Sequence, residues 1–454
     1  MEKNMNFELI KNALVAALNE KGIGEYEIYY TSGSDSTVGT LNREVNAFSS
    51  CVNGGLCLRV AFGGKMGYAA TELMTEAEML DLVDRAVANA AATEKPDSVG
   101  IYGGGEEYEE CRIPSFVPVS TATLRTAAIK SAEALFNESE KVQNGTESQA
   151  VSSGFDIRIV NSHGVDLVAS CGINALVGSA VVMDSGEMQS DYSIKEFNAE
   201  NLDTVISELA ADAVSEALSK IGAGIVPSGK YNIVISGKQM RSLLSVFSSA
   251  FSAKAVIDGM SPLAGKLGEA VAAPIVTITD DPQREGSSVG ITFDAEGVPT
   301  HRREVVSRGV LNTFLHNRET AKQLGTKTTA NASKAGYSSP IGVRPHSFCI
   351  EAGDKTTDEL FALAGEGIYV TELKGLHAGA NPITGDFSLE SAGFMIRDGK
   401  IAEAVKSFTV AGNFFALLKN ITALSNKIER GVQTGFTAFG SPNVLVPDMS
   451  VAGK

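Results

Sequence analysis

Positive charge is scarce in this chain: 38 Lys and Arg stand against 54 Asp and Glu in 454 residues, a formal net charge of −16. A nucleic-acid surface needs a dense basic face to meet phosphate, and the sequence offers none, so no nucleic-acid partner is expected. Paired cysteines are also missing. Cys51, Cys57, Cys111, Cys171 and Cys349 are odd in number and irregular in spacing, which suits reduced thiols in a cytosolic protein. No window reaches the apolar length needed to span a bilayer. The first residues, MEKNMNFELIKNALVAALNEKG, lack an uninterrupted apolar core followed by a small-residue cleavage site. Phe7, Ile10, Leu14, Ala17 and Leu18 fall instead at helical spacing and predict an amphipathic helix. The expectation is a cytoplasmic chain with no membrane contact.

What the sequence does have is a hydrophobic content of 43%, enough to fill more than one core in a chain too long for a single one. After the first helix, EYEIYYT at 25–31 reads as a strand, and LCLRVAF with KMGYAAT as a hairpin around Gly63-Gly64. Thr75 and Glu78 have the form of a capping box opening a helix through Met79, Leu80, Val83 and Val87. Residues 95–118, rich in Gly, Glu and Pro, form a connection, and Gly103-Gly104-Gly105 lacks the Lys and Ser/Thr of a phosphate loop. A helix over 121–136, three strands with a turn at Ser162-His163-Gly164, and a helix over 202–219 repeat the order helix, strands, helix. That order suggests duplication, without identity of residues. Past IGAGIVPSGKYN, short strands and glycine dominate: strand YNIVIS, a helix over 239–253, strand IVTITD, a hairpin turning at Arg308-Gly309, a short helix at 317–324 and a last helix over 413–426. The expected class is α+β, with an α+β domain at 1–95, a second α+β domain at 96–227, and a β-rich domain at 228–454 built on a curled antiparallel sheet with few helices.

One stretch organises the second half: GLHAGANPITGDFSLESAGFMIRDGK, residues 375–400. Gly375, Gly379, Pro382 and Gly385 set backbone geometry, with His377, Asn381, Thr384 and Asp386 among them, the chemistry of a loop. Phe387, Leu389, Phe394 and Ile396 then form a strand entering a tight turn at Asp398-Gly399. This run resembles the signature segment of the TldD/PmbA family, once called modulators of DNA gyrase, and more narrowly its PmbA branch, also called TldE. FDAEGVPTHRREVVSRGVLNTFLHNRETAKQLG at 293–325 and GSPNVLVPDMSVAG at 440–453 support it, and the resemblance covers nearly the whole chain.

In the TldD branch a helix carries His-Glu-x-x-x-His, and a Cys near the C-terminus is the third zinc ligand, leaving a position for an attacking water. The corresponding helix here, KQMRSLLSVFSSAFSAKAV, has neither His nor Cys, and TAFGSPNVLVPDMSVAG has no Cys. No two of His163, His301, His316, His346 and His377 lie within five residues of each other, and none precedes Glu. No catalytic residue and no metal ligand is therefore expected in this chain. His301 and His316 are expected as solvated strand-end side chains, His163 in a turn, and His346 in an exposed run. His377, Asn381 and Asp386 are the candidates for a substrate groove or subunit interface. Asp280-Asp281 with Glu285 fits a capped turn better than an acid/base set. The GSSVG around Ser288 is followed by ITFDAEG, a strand pattern where a nucleophile elbow needs a helix, so a polar loop is expected. GTKTTANASKAG at 325–336 fits a mobile polar loop bordering a cavity.

The resemblance implies the non-metal subunit of a cytosolic two-subunit zinc peptidase that processes or degrades unfolded peptides. Zinc would then sit in a TldD-type metal-bearing partner, with no cofactor in this chain and a homodimer open to it when isolated. An extended peptide could be taken up by adding as a strand at a sheet edge. The alternative is a homodimeric peptide-binding or scaffold protein without proteolytic activity.

Overall fold

Apolar residues three and four apart decide the first element. Ile10, Leu14, Ala17 and Leu18 share one buried face of α1 (Phe7–Glu20), and the Asn6 side chain caps the helix by accepting from Leu9 N at 3.0 Å. The computed structural model describes residues 6–94, 96, 99–433 and 435–454. α2 (Glu76–Ala92) starts at Thr75, whose hydroxyl accepts from Glu78 N. The reciprocal half of the expected capping box does not form, because the Glu78 carboxylate pairs with Arg85 two turns along. Both helices pack on β1 (Tyr26–Leu41), β2 (Glu44–Phe62) and β3 (Lys65–Thr71), where Leu14, Leu56, Leu58, Met79 and Val83 form one cluster. Each such side chain stabilises the fold by about 1.5–3 kcal/mol over exposure. The β1–β2 hairpin turns at Asn42 and Arg43, both at positive φ (53° and 79°), the backbone that matches the twist of paired strands.

The sheet runs on past residue 95. β1 pairs along its other edge with β4 (Glu147–Asn161), from Glu27 opposite Asn161 to Leu41 opposite Glu147. β5 (Asp166–Asp184) and β6 (Glu187–Glu196) follow, so one antiparallel sheet of order β3-β2-β1-β4-β5-β6 draws strands from both N-terminal units. α3 (Thr121–Glu138) and α4 (Leu202–Ser219) cover its β4–β6 part through Leu124, Ala127, Leu176 and Leu209. Just ahead of α3, Phe116 lies against Gly154 and Gly172, where a Cβ at either position would come within 2.4 Å of its ring. The opposite face, with Tyr29, Cys57, Ile157 and Ile159, packs on Phe293 of the C-terminal half.

That half opens with β7 (Gly229–Ile235) and α5 (Gly237–Phe247), capped by Ser236. The single helix expected over 239–253 is broken by a 3-10 turn at Ser248–Phe251 before α6 (Ala253–Ile257). Serines cause the break: Ser248 bonds back to Ser245 O, and the Ser252 hydroxyl caps α6. The further strands are β8 (Ile278–Asp280), β9 (Arg303–Ser307), β10 (Val310–Leu311), β11 (Ala332–Ser333), β12 (Gly342–Val343), β13 (Ser347–Ile350), β14 (Gly367–Lys374), β15 (Asp386–Arg397), β16 (Lys400–Asn413), β17 (Ala423–Leu424), β18 (Glu429–Arg430), β19 (Ala438–Ser441) and β20 (Val444–Ala452). One sheet has the order β16-β15-β14-β7-β20-β17 and curls until Thr409–Ala411 of β16 meet Ser450–Ala452 of β20. Its pairs are antiparallel except β7 with β14. A second sheet has the order β10-β9-β8-β13-β19-β18. The shared core includes Phe247 stacked on Phe414 at 4.6 Å and Phe251 against Phe348.

Two expectations fail here for local reasons. Residues 291–297 do not form a strand: the buried Asp294 carboxylate accepts from Glu296 N and Val298 N and folds the chain into a turn. The last helix stops at Asn420 rather than Asn426, because Ala423–Leu424 leave it to pair with β20, and Asn413 is its cap. Among the described residues no helix is long and apolar enough to cross a membrane.

Candidate functional site

Where the halves face each other they enclose a groove of about 820 Å³. One wall is β6 and the end of α4, and the other is α5 with β14, β15 and β16. β6 is the end strand of its sheet, so its backbone has an edge free of sheet pairing, and Gln189, Ser190, Asp191 and Tyr192 of it line the groove. Ion pairs tie the walls together. Lys406 Nζ lies 2.6 Å from Glu187 Oε1, and Lys220 Nζ lies 2.9 Å from Asp191 Oδ2 and 3.3 Å from Glu372 Oε2. Lys406 first, then the Gly222 amide and Gln189, hold the Glu187 carboxylate down at about 2. Burial pushes Glu216 up, against the attraction of Lys238 3.4 Å away. Burial also pulls Arg241 on α5 below the usual guanidinium range, with Glu429 opposing. Charges of both signs alternate around this groove, with no excess to attract a compact anion, and the backbone edge is what remains to bind. That arrangement suits an extended chain.

The three candidates from the signature stretch lie beside this groove, outside its lining. Lys374 and Leu376 line it; His377 follows on the exposed one-turn helix Leu376–Gly379. Asn381 Oδ1 accepts from Ile383 N at 3.0 Å and Thr384 N at 3.3 Å, and Asn381 N donates to Asp386 O at 2.8 Å. Asp386 Oδ1 accepts from Asn413 Nδ2 at 2.9 Å, which with Thr384 holds its carboxylate below the ordinary range. Asn381 and Asp386 thus share one turn that anchors the start of β15 to the end of β16, and His377 stands on the same loop.

The other histidines are scattered. His301 Nδ1 is exposed and 2.8 Å from Glu109 Oε1, and His163 lies 3.7 Å from Glu25. His316 and His346 are buried, against the expectation of solvated or exposed side chains. His316 sits under Thr328 and Thr329, whose hydroxyls bond its backbone oxygen, and burial lowers its imidazole. His346 Nε2 donates to Ala330 O at 2.8 Å. The stretch 325–336, expected to be a mobile polar loop, supplies those partners, with Asn331 fully buried on Asp280 Oδ2 and Arg344 O. Asp281 caps a turn by accepting from Gln283 N, and Ser288 donates to Glu196.

A metal would need about three donors converging from His, Cys, Asp or Glu. From Gly237 to Ile257, the helical segment beside the groove, none of these residue types occurs. Among the described residues no three such side chains come together. The residues that tie the groove's walls, Glu187, Lys220, Glu372 and Lys406, were not singled out from the sequence. Their pairings join positions 152 and 219 residues apart, and no local pattern signals them.

Residues 228–453 match the family model described as the PmbA/TldA metallopeptidase C-terminal domain, and residues 26–90 match that of PmbA/TldA metallopeptidase domain 1. The metalloprotease PmbA of Escherichia coli is 25% identical over 98% of this chain and 96% of its own length. A crystal structure from Thermotoga maritima, named as a modulator of a DNA gyrase, superposes with a TM-score of 0.88 at 29% identity, covering 98% of this chain and all of that one. TldE from Thermococcus kodakarensis, 22% identical over 98% of this chain and all of its own, shares the fold at a TM-score of 0.86. The chain belongs to the PmbA/TldD family of metallopeptidase-related proteins, as a homologue of PmbA.

Proposed function

We propose that this chain is the non-metal subunit of a two-subunit zinc peptidase, and that its own work is to hold an extended, unfolded peptide while a TldD-type partner cuts it. The observation that carries the reading is the groove between β6 and β14–β16, with an end-strand backbone on one wall and charges of both signs around it. Backbone bonds to an added strand confer little sequence preference, which suits a substrate recognised for being unfolded. The absence of His, Cys, Asp and Glu from 237–257 supports assigning the metal to the partner. His377, Asn381 and Asp386 then belong to the rim, where the partner's surface or the peptide would pass. The test is affinity capture of the tagged chain from its native cells with identification of the bound chains. The expected outcome is a homologue bearing His-Glu-x-x-x-His. Recovery of copies of this chain alone would reject the reading in favour of a self-pairing binding protein.

A further inference from the structure

A second cavity, of about 360 Å³, lies under the opposite face of the N-terminal sheet and shares no lining residue with the groove. Tyr29, Ile157, Phe293 and Phe436 give it an apolar, aromatic side, beside the polar Ser333, His346 and Thr437. Lys334, on the loop after β11, enters it. The ammonium stands 5.1 Å from the centre of the Tyr29 ring, and its nitrogen is buried without a hydrogen-bond partner. Burial pulls Lys334 below the ordinary lysine range; Cys57, Arg59 and Glu27 are the titratable groups that face it from β1 and β2. Apart from the weak acceptor Cys57, the buried ammonium has no partner, which costs free energy that an anion would recover. Arg344 is the second cation on the lining. The acidic group there, Asp294, is turned to three backbone amides, those of Glu296, Val298 and Ala332, and makes no ion pair with Lys334.

We infer that this cavity binds a carboxylate carried on an apolar or aromatic body, with the carboxylate at Lys334 and Arg344 and the body against Tyr29, Ile157, Phe293 and Phe436. A phosphate would need more donors than two side chains and no backbone nest supply. A single carboxylate on a hydrophobic stem matches both the charge and the walls. The ligand is either a free aromatic or aliphatic acid or the C-terminal residue of a peptide, since both present that chemistry.

Calorimetric titration of the full chain tests it with four probes: 3-phenylpropionate, 3-phenylpropanamide, Ala-Ala-Phe with a free C-terminus, and the same peptide amidated. Either acid should bind at least about tenfold more tightly than its amide, and Lys334→Met should remove that preference. Binding of both acids assigns the site to peptide C-termini as well as small acids; binding of 3-phenylpropionate alone assigns it to small acids. Lys419→Met, at the exposed end of the helix Phe414–Asn420 and away from both cavities, should leave the affinities unchanged. Arg344→Met, at an exposed position, repeats the test should Lys334→Met fail to fold. Equal affinity for acids and amides, or no binding of either acid at millimolar concentration, overturns the inference.

Discussion

Lys406 Nζ and Glu187 Oε1 meet at 2.6 Å and join the C-terminal sheet to the last strand of the N-terminal one. Beside them the connection between the halves lies along β16, with Gly224 N donating to Ala404 O and Lys406 N to Gly224 O. The folded Glu187 value of about 2 lies below its ordinary 4.5, so the tie is at full strength above 4.5 and is lost as pH falls toward 2. Lys406→Met should therefore speed hydrogen exchange at Gly224 and at the residue 406 amide by roughly tenfold at neutral pH. The wild type should approach the variant on acidification. Identical exchange at pH 7 would show that the pair does not hold the groove.

Arg59 and Glu27 pair at 3.1 Å with side chains only 3% and 2% exposed, and each keeps an unsatisfied atom, Arg59 Nε and Glu27 Oε2. Burial drives the Glu27 carboxyl upward. Arg59→Met alone should cost ~3–5 kcal/mol, because it strands a buried carboxylate. Pairing it with Glu27→Leu should recover most of that loss. The midpoints of urea unfolding for the two variants decide it; a double variant as unstable as the single one would show that the pair is needed for packing.

The cysteines differ by burial. Cys51 and Cys111 are exposed, whereas Cys57, Cys171 and Cys349 are buried, and burial pushes Cys171 up to about 12. Iodoacetamide at pH 8 should modify Cys51 and Cys111 in the native protein and all five in urea. Peptide mapping reads the outcome, and native modification of Cys171 would contradict the packing of the two halves.

His377→Ala should leave the melting of the isolated chain unchanged, since the side chain is exposed, and lower peptide turnover by the assembled complex several-fold. Asn381→Ala removes the acceptor of two turn amides and should cost about 1 kcal/mol of stability as well. Equal turnover with and without His377 would remove it from the rim.

Much of the architecture was legible because local patterns decide it. The helix expected over 202–219 is found there as α4, although the Asn201 side chain accepts from Asn198 N and makes no cap bond, and Asp398-Gly399 marks the β15–β16 turn. What could not be read depends on remote partners. His316 and His346 look like surface residues until the 328–331 stretch folds over them, and Lys334 looks like an ordinary loop lysine until Tyr29 and Phe293 close around it. The continuity of the N-terminal sheet rests on β1 pairing with β4 more than a hundred residues away, and the groove exists only through such pairings.

The most direct test of the assignment of chemistry to a partner is peptide cleavage by the purified chain, assayed with added zinc, with chelator and with bound metal quantified. The account expects no cleavage under any condition and no stoichiometric zinc. Chelator-sensitive cleavage by this chain alone, with one zinc bound per molecule, would contradict it.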